Sequence, residues 1–170
     1  MLRSLFIITI LSFISIKVNS QNTIKLAHIN SMELLSAMPE NDSARVKLEK
    51  VIKELQFYLE DMQVEFNNKY QEYTTKKNTY TASLAQIKET ELQDMNTRMQ
   101  QFQESAQGEI ENKRTEIYKP VMDKTRKVIA DVAKENGITY VFDTSNGTLL
   151  YQSDNSINLM PLVKKKLGLK

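Results

Sequence analysis

Cysteine and tryptophan are absent from this 170-residue chain; histidine occurs once, proline three times and glycine four times. Without cysteine there is no disulfide staple, no thiolate zinc site and no thiol nucleophile, so stability must come from packing or from association between copies. The glycines stand apart at 108, 137, 147 and 168, too scattered for a phosphate-cradling loop. The single histidine, His28, sits in an alternating apolar stretch, and a lone histidine there is packed or solvated far more often than catalytic. Neither His nor the carboxylates cluster at metal-ligand spacing. These absences point away from an enzyme and imply no cofactor.

A long apolar run is also missing. The apolar-biased stretch from Leu5 to Ile16, about a dozen residues, falls short of the roughly 20 that span a membrane. It follows the basic start Met1-Leu2-Arg3 and ends at Val18-Asn19-Ser20, small residues of the kind a signal peptidase reads. Residues 1–20 are therefore expected to be a cleavable export signal, which places the mature protein outside the cytoplasm. If the segment were kept, the chain would be a membrane-tethered structural coiled-coil protein of the envelope.

Net charge is the next thing the mature chain lacks. The whole sequence has 23 Lys+Arg and 21 Asp+Glu; removing Arg3 and Lys17 with the signal leaves 21 against 21. Residues 40–119 carry 15 acids and 12 bases, and residues 121–170 carry 5 acids and 8 bases. Nucleic-acid binding needs a concentrated basic face, and no part of the chain has one. The run Lys164-Lys165-Lys166 suits the last turn of a helix.

What the chain does have is an 80-residue stretch, 40–119, with one glycine, no proline and apolar residues at helical spacing. Its first half sets Leu48, Ile52, Leu55, Leu59, Met62, Phe66, Tyr70 and Tyr73 at gaps of four, three, four, three, four, four and three. That is the seam of a coiled coil. The second half repeats it less regularly through Leu84, Ile87, Leu92, Met95, Met99, Phe102, Ala106, Ile110, Ile117 and Val121. A weak point at residues 79–83 divides the halves, so the stretch reads as a long antiparallel helical hairpin. The first long helix is expected to begin near residues 41–43, and the second at Ser83, where Gln86 completes a capping box. Pro120 is expected to mark a kink or junction, followed by a further helix up to the stop signal Asn136-Gly137.

Two β-rich segments flank the hairpin. Residues 24–29 alternate and put Ile24, Leu26 and His28 on one face of a strand. Ser31 is a candidate cap for a short helix over 32–38, which Pro39 interrupts. Residues 138–143 (Ile-Thr-Tyr-Val-Phe-Asp) read as a second strand. Asn146-Gly147 reads as a type I′ turn that returns residues 148–151 as its hairpin partner, and a last helix covers 159–167. The fold class expected is α+β: a helical hairpin arm, 40–119, on a small β-rich body made of 21–39 and 120–170.

The order of these parts resembles the OmpH/Skp family of periplasmic chaperones. The residues that carry the resemblance are Lys25-Leu26-Ala27-His28-Ile29-Asn30, Glu33-Leu34-Leu35, Met38-Pro39-Glu40, Tyr118-Lys119-Pro120, Val132-Ala133-Lys134-Glu135-Asn136-Gly137 and Tyr140-Val141-Phe142-Asp143. The resemblance implies an ATP-independent holdase for unfolded outer-membrane β-barrel proteins, with peripheral membrane contact as a further association. It also implies a trimeric, jellyfish-like homo-oligomer whose arms surround a client cavity. Arms in the best-known members are basic, whereas this one is slightly acidic, so charge should contribute little to capture.

Candidate surfaces follow from the same pattern. Phe57 lies two residues past the seam position Leu55, and Val64 two past Met62, which turns both roughly 200° away from the seam. Such a pair either packs on another element or faces a client. Met95, Met99 and Phe102 carry the same ambiguity: adaptable client contacts, or hairpin core at seam spacing. Because three short strands leave open edges, Ile24, Leu26, Val141 and Leu149 are the expected oligomerisation residues.

Overall fold

The computed structural model describes residues 24–169; the expected export signal, 1–20, lies outside them. Strand β1 (Leu26–Ile29) leads into helix α1 (Ser31–Ser36). The cap of α1 is Asn30, whose side-chain oxygen accepts from the Glu33 N–H at 3.0 Å, and not the expected Ser31. Ser31 is engaged elsewhere: its N–H donates to Asp143 Oδ1 at 3.1 Å and its hydroxyl to Asp143 Oδ2.

Pro39 does not interrupt a helix but opens one. Helix α2 (Pro39–Lys76) has the proline in its first turn, where a missing N–H costs nothing, and Glu40 and Asp42 face the positive end of its dipole. A 3₁₀ turn (Lys77–Thr79) reverses the chain into α3 (Ala82–Glu135). Thr81 caps α3 by accepting from Leu84 N at 3.3 Å, two residues before the Ser83 start expected from the capping box. At ~1.5 Å per residue α2 is roughly 57 Å long and α3 roughly 80 Å.

Pro120 does not end a helix either. α3 runs through it without a break, and the proline is exposed, so the ring points outward and the loss is one intrahelical hydrogen bond. The helix therefore belongs to both parts of the molecule, pairing with α2 along its first two thirds and crossing the small sheet with its last third. Its end matches the expected stop. Asn136 is the C-cap, Gly137 has φ 64°, and Ile138 N donates to Ala133 O at 2.9 Å.

The sheet differs from the expected hairpin. Strand β2 (Tyr140–Asp143) lies parallel to β1 with Leu26 opposite Tyr140 and Ile29 opposite Asp143. The third strand is β3 (Ile157–Asn158), parallel to the other edge of β1, so the order is β2-β1-β3. Residues 148–151 form no strand. A type I′ turn needs positive φ at both central residues; Gly147 has φ 68°, but Asn146 does not. Asn146 instead accepts through its side-chain oxygen from the Thr148 N–H (3.2 Å) and hydroxyl (2.8 Å), a local turn that sends the chain onward as a strap over 144–156.

The core of the body lies between the inner sheet face and the helices. Ala27 and Ile29 point inward and pack with Leu34, Leu35, Met38, Val121, Val132, Leu159 and Val163. Helix α4 (Met160–Leu167) closes this core and ends at Gly168 in the left-handed conformation. The lysine run is tied down at two places, Lys164 to Glu33 and Lys166 to Glu135.

Candidate functional site: the arm and the outer sheet face

Along the arm the seam is built largely as its spacing dictates. Leu48 and Tyr73 are buried and the positions between them are half-buried, apart from Tyr70, which is exposed. On α3, Met95 and Met99 are buried in the seam and Phe102 is half-buried beside them. Leu84 and Ile87 lie off the seam; Ile87 is exposed, and Ala85 and Lys88 hold the half-buried positions there.

The tip and root are fastened by polar groups. The Tyr73 hydroxyl donates to Glu89, and Lys77 lies 5.3 Å from the centre of the Tyr73 ring and 3.6 Å from the Glu89 carboxylate. The bond to Glu89, with burial adding to it, holds the Tyr73 phenol above its usual range. Lys69 pairs with Glu91, and that bond, followed by the one from Lys88, holds the Glu91 carboxyl below its usual range. At the root Lys124 pairs with Glu40 and lowers the Glu40 carboxyl in the same way.

Phe57 and Val64 are 65% and 51% exposed, turned away from the seam as the spacing implied. Val46, 57% exposed, belongs with them. It lies eleven residues before Phe57 and eighteen before Val64, and eighteen residues are five helical turns, so the three form one straight row along α2. Sequence reasoning missed Val46 although the same rotation arithmetic contains it. Charged side chains such as Lys50, Lys53 and Asp61 stand between these anchors.

The outer face of the sheet is the second apolar surface. Ile24 is 66% exposed, and Leu26, Tyr140 and Phe142 share the outer side of the paired strands β1 and β2, which the strap covers only in part. Val141 points the other way and lines a recess of about 350 Å³ with Leu35, Met122 and Ile129, beside the free edge of β2. The expected oligomerisation residues therefore fall on two faces. Leu149 lies half-buried in the strap over His28 and Phe142, not in a strand. The next two residues, Leu150 and Tyr151, are nearly fully exposed. His28 makes one polar contact, Nδ1 to Ser156 Oγ at 3.1 Å, which fits a packing role. Among the described residues no group of three or more His, Cys, Asp or Glu could hold a metal ion, and no helix is long and apolar enough to cross a membrane.

A two-helix arm rooted in a small β-containing body is the arrangement the resemblance called for, although its three strands run parallel rather than as the expected hairpin. The family model for outer membrane protein (OmpH-like) matches residues 25–167. The chain belongs to the OmpH-like family. The crystal structure of an OmpH-like protein from Caulobacter crescentus CB15, assigned as an outer membrane chaperone, superposes on it with a TM-score of 0.73 at 14% identity. That match covers 85% of this chain and 83% of the other, and it shows a shared fold. No curated protein matches the chain. Membership supports a chaperone role for this OmpH-like protein, and its mostly helical architecture with a small sheet is the fold of the family.

Proposed function

We propose that this OmpH-like protein is a periplasmic, ATP-independent holdase that keeps unfolded outer-membrane β-barrel proteins from aggregating between its arms. The observation that carries the reading is the pairing of an arm exposing a sparse apolar row with a body whose outer sheet face is apolar and largely exposed. The body, residues 21–39 and 120–170, would assemble three copies, and the arms, 40–119, would enclose the client. Leu26, Tyr140 and Phe142 are the proposed centre of the assembly surface, with Ile24 and the strap residues Leu149, Leu150 and Tyr151 around it. Burying such exposed apolar groups gains roughly 25 cal/mol per Å², while the open edges of β2 and β3 invite pairing with neighbouring copies.

Phe57 and Val64 are the proposed client contacts. Met95, Met99 and Phe102 would reach a client only where the seam opens. A barrel protein before insertion exposes alternating apolar residues along its strands, so an apolar, undemanding surface suits it better than a shaped pocket. Peripheral contact with the membrane would accompany delivery. The test is light scattering from a urea-unfolded barrel protein diluted into buffer with the purified mature chain. Suppression without nucleotide at near-stoichiometric ratios supports the reading, whereas undiminished aggregation with the chain retained on membranes would favour an envelope tether.

A further inference from the structure

Three of the four glycines answer a backbone demand: Gly137, Gly147 and Gly168 adopt positive φ. Gly108 does not. It lies inside α3, and a Cβ there would meet nothing within 4 Å, so neither packing nor backbone conformation requires glycine. What glycine does at such a place is soften the helix, by roughly 0.5–1 kcal/mol relative to alanine.

Around Gly108 the α3 side of the seam is thinly filled. Ala106 offers one methyl group, and Lys113 holds a half-buried position in the row between Ile110 and Ile117. Its ammonium turns back to Glu116 of its own helix at 2.8 Å. The distal seam, by contrast, is filled by Met62, Phe66, Met95 and Met99.

Polar bonds between the two helices are placed at the ends alone. Among the described residues they are Lys124–Glu40 at the root, with Thr125 donating to the Met38 sulfur at the cap of α2, and Lys69–Glu91 and Tyr73–Glu89 at the tip, where Lys77 of the turn also meets Glu89. Between them the ion pairs, such as Lys53–Glu49 and Arg114–Glu111, stay within one helix. Carrying the register from root to tip, the part of α2 that faces residues 106–113 is about 49–56.

We infer that the arm is pinned at its root and tip and bows in its middle about Gly108, so that α2 and α3 separate there while the distal seam stays closed. Bowing brings Ile52, Leu55 and Ile110 to solvent. The bending itself does not rest on the proposed function; its use, in fitting the arms to clients of different girth, does.

The absence of cysteine makes the test direct. Spin labels on Glu54→Cys with Asn112→Cys report the middle of the arm, and on Asn67→Cys with Gln93→Cys the distal part, in full-length mature protein diluted with unlabelled copies and without client. The middle pair should give a broad distance distribution and the distal pair a narrow one. Adding Gly108→Ala with Lys113→Leu should narrow the middle distribution severalfold and leave the distal one unchanged. In unlabelled protein, Gly108→Ala alone should slow amide exchange over 105–112 roughly two- to fivefold. A middle distribution as narrow as the distal one, or exchange over 105–112 equal to that over 95–102, would overturn the inference. Because no client is present, that outcome would leave the holdase proposal standing.

Discussion

Asp143 is the residue on which the join between β2 and α1 depends. Burial opposes its ionisation, but hydrogen bonds from the Ser31 hydroxyl and from the Ser145 and Ser31 N–H groups outweigh it and hold the carboxyl below its ordinary value. A carboxyl depressed in the folded state adds stability that is fully present above its unfolded value near ~3.9 and is lost as pH falls through the lower folded value. Asp143→Asn should therefore lower stability by about 1 kcal/mol near neutral pH in urea unfolding, a difference that shrinks below pH 4. An equal deficit at pH 3 and pH 7 would mean that the amide disturbs packing rather than removing charge-assisted bonds. The sequence offered Ser31 as a cap because serine caps helices; it could not show that an aspartate 112 residues away would claim the hydroxyl.

At the scale of elements, the tip clasp predicts how the arm opens from its end. Tyr73→Phe keeps the buried ring and removes the bond to Glu89, so amide exchange in residues 70–76 should speed up while exchange over 95–102 does not change. Exchange should be fastest at residues 79–83 and slowest in the sheet. Equal rates in Tyr73→Phe and the parent would show that the ring and the Lys77 cation suffice. The arm was legible because a 3.5-residue apolar period, sustained through eight positions of α2, is the mark of one helix packed along another. The strap was misread for an equally physical reason: Asn-Gly is the preferred hairpin pair, but nothing in that dipeptide fixes Asn146 at positive φ. Nor can a two-residue strand, Ile157–Asn158, give a periodic signal; it is made by its edge pairing with β1. Pro120 read as a junction because prolines end most helices, whereas at an exposed position of a long helix packed at both ends the lost bond is tolerated.

For the whole molecule, assembly and client holding should separate by surface. Leu26→Asp or Phe142→Asp places charge on the outer sheet face and should drive the proposed oligomer toward monomers in sedimentation at micromolar concentration, with helix content retained. The same change at Phe57 should leave the mass unaltered; a monomer from Phe57→Asp would put the joint on the arms. The outer face was half legible: Ile24 and Leu26 were expected, while Tyr140 and Phe142 follow only once the parallel register sets them beside Leu26.

Client binding decides whether the arms hold by apolar contact. With 21 acids and 21 bases beyond residue 20 and an arm that exposes Val46, Phe57, Tyr58 and Val64 among charged side chains, holding should come from apolar contact and confinement by several arms, not from charge. The measurement is the affinity of the assembled protein for an unfolded, labelled barrel protein without nucleotide, at about 50 and 200 mM salt, for the parent and for Phe57→Ser with Val64→Ser. Binding should be tight, change less than about threefold with salt, and weaken about tenfold or more in the double variant while the assembly stays intact. No binding, a steep loss with salt, or an unaffected double variant would contradict it.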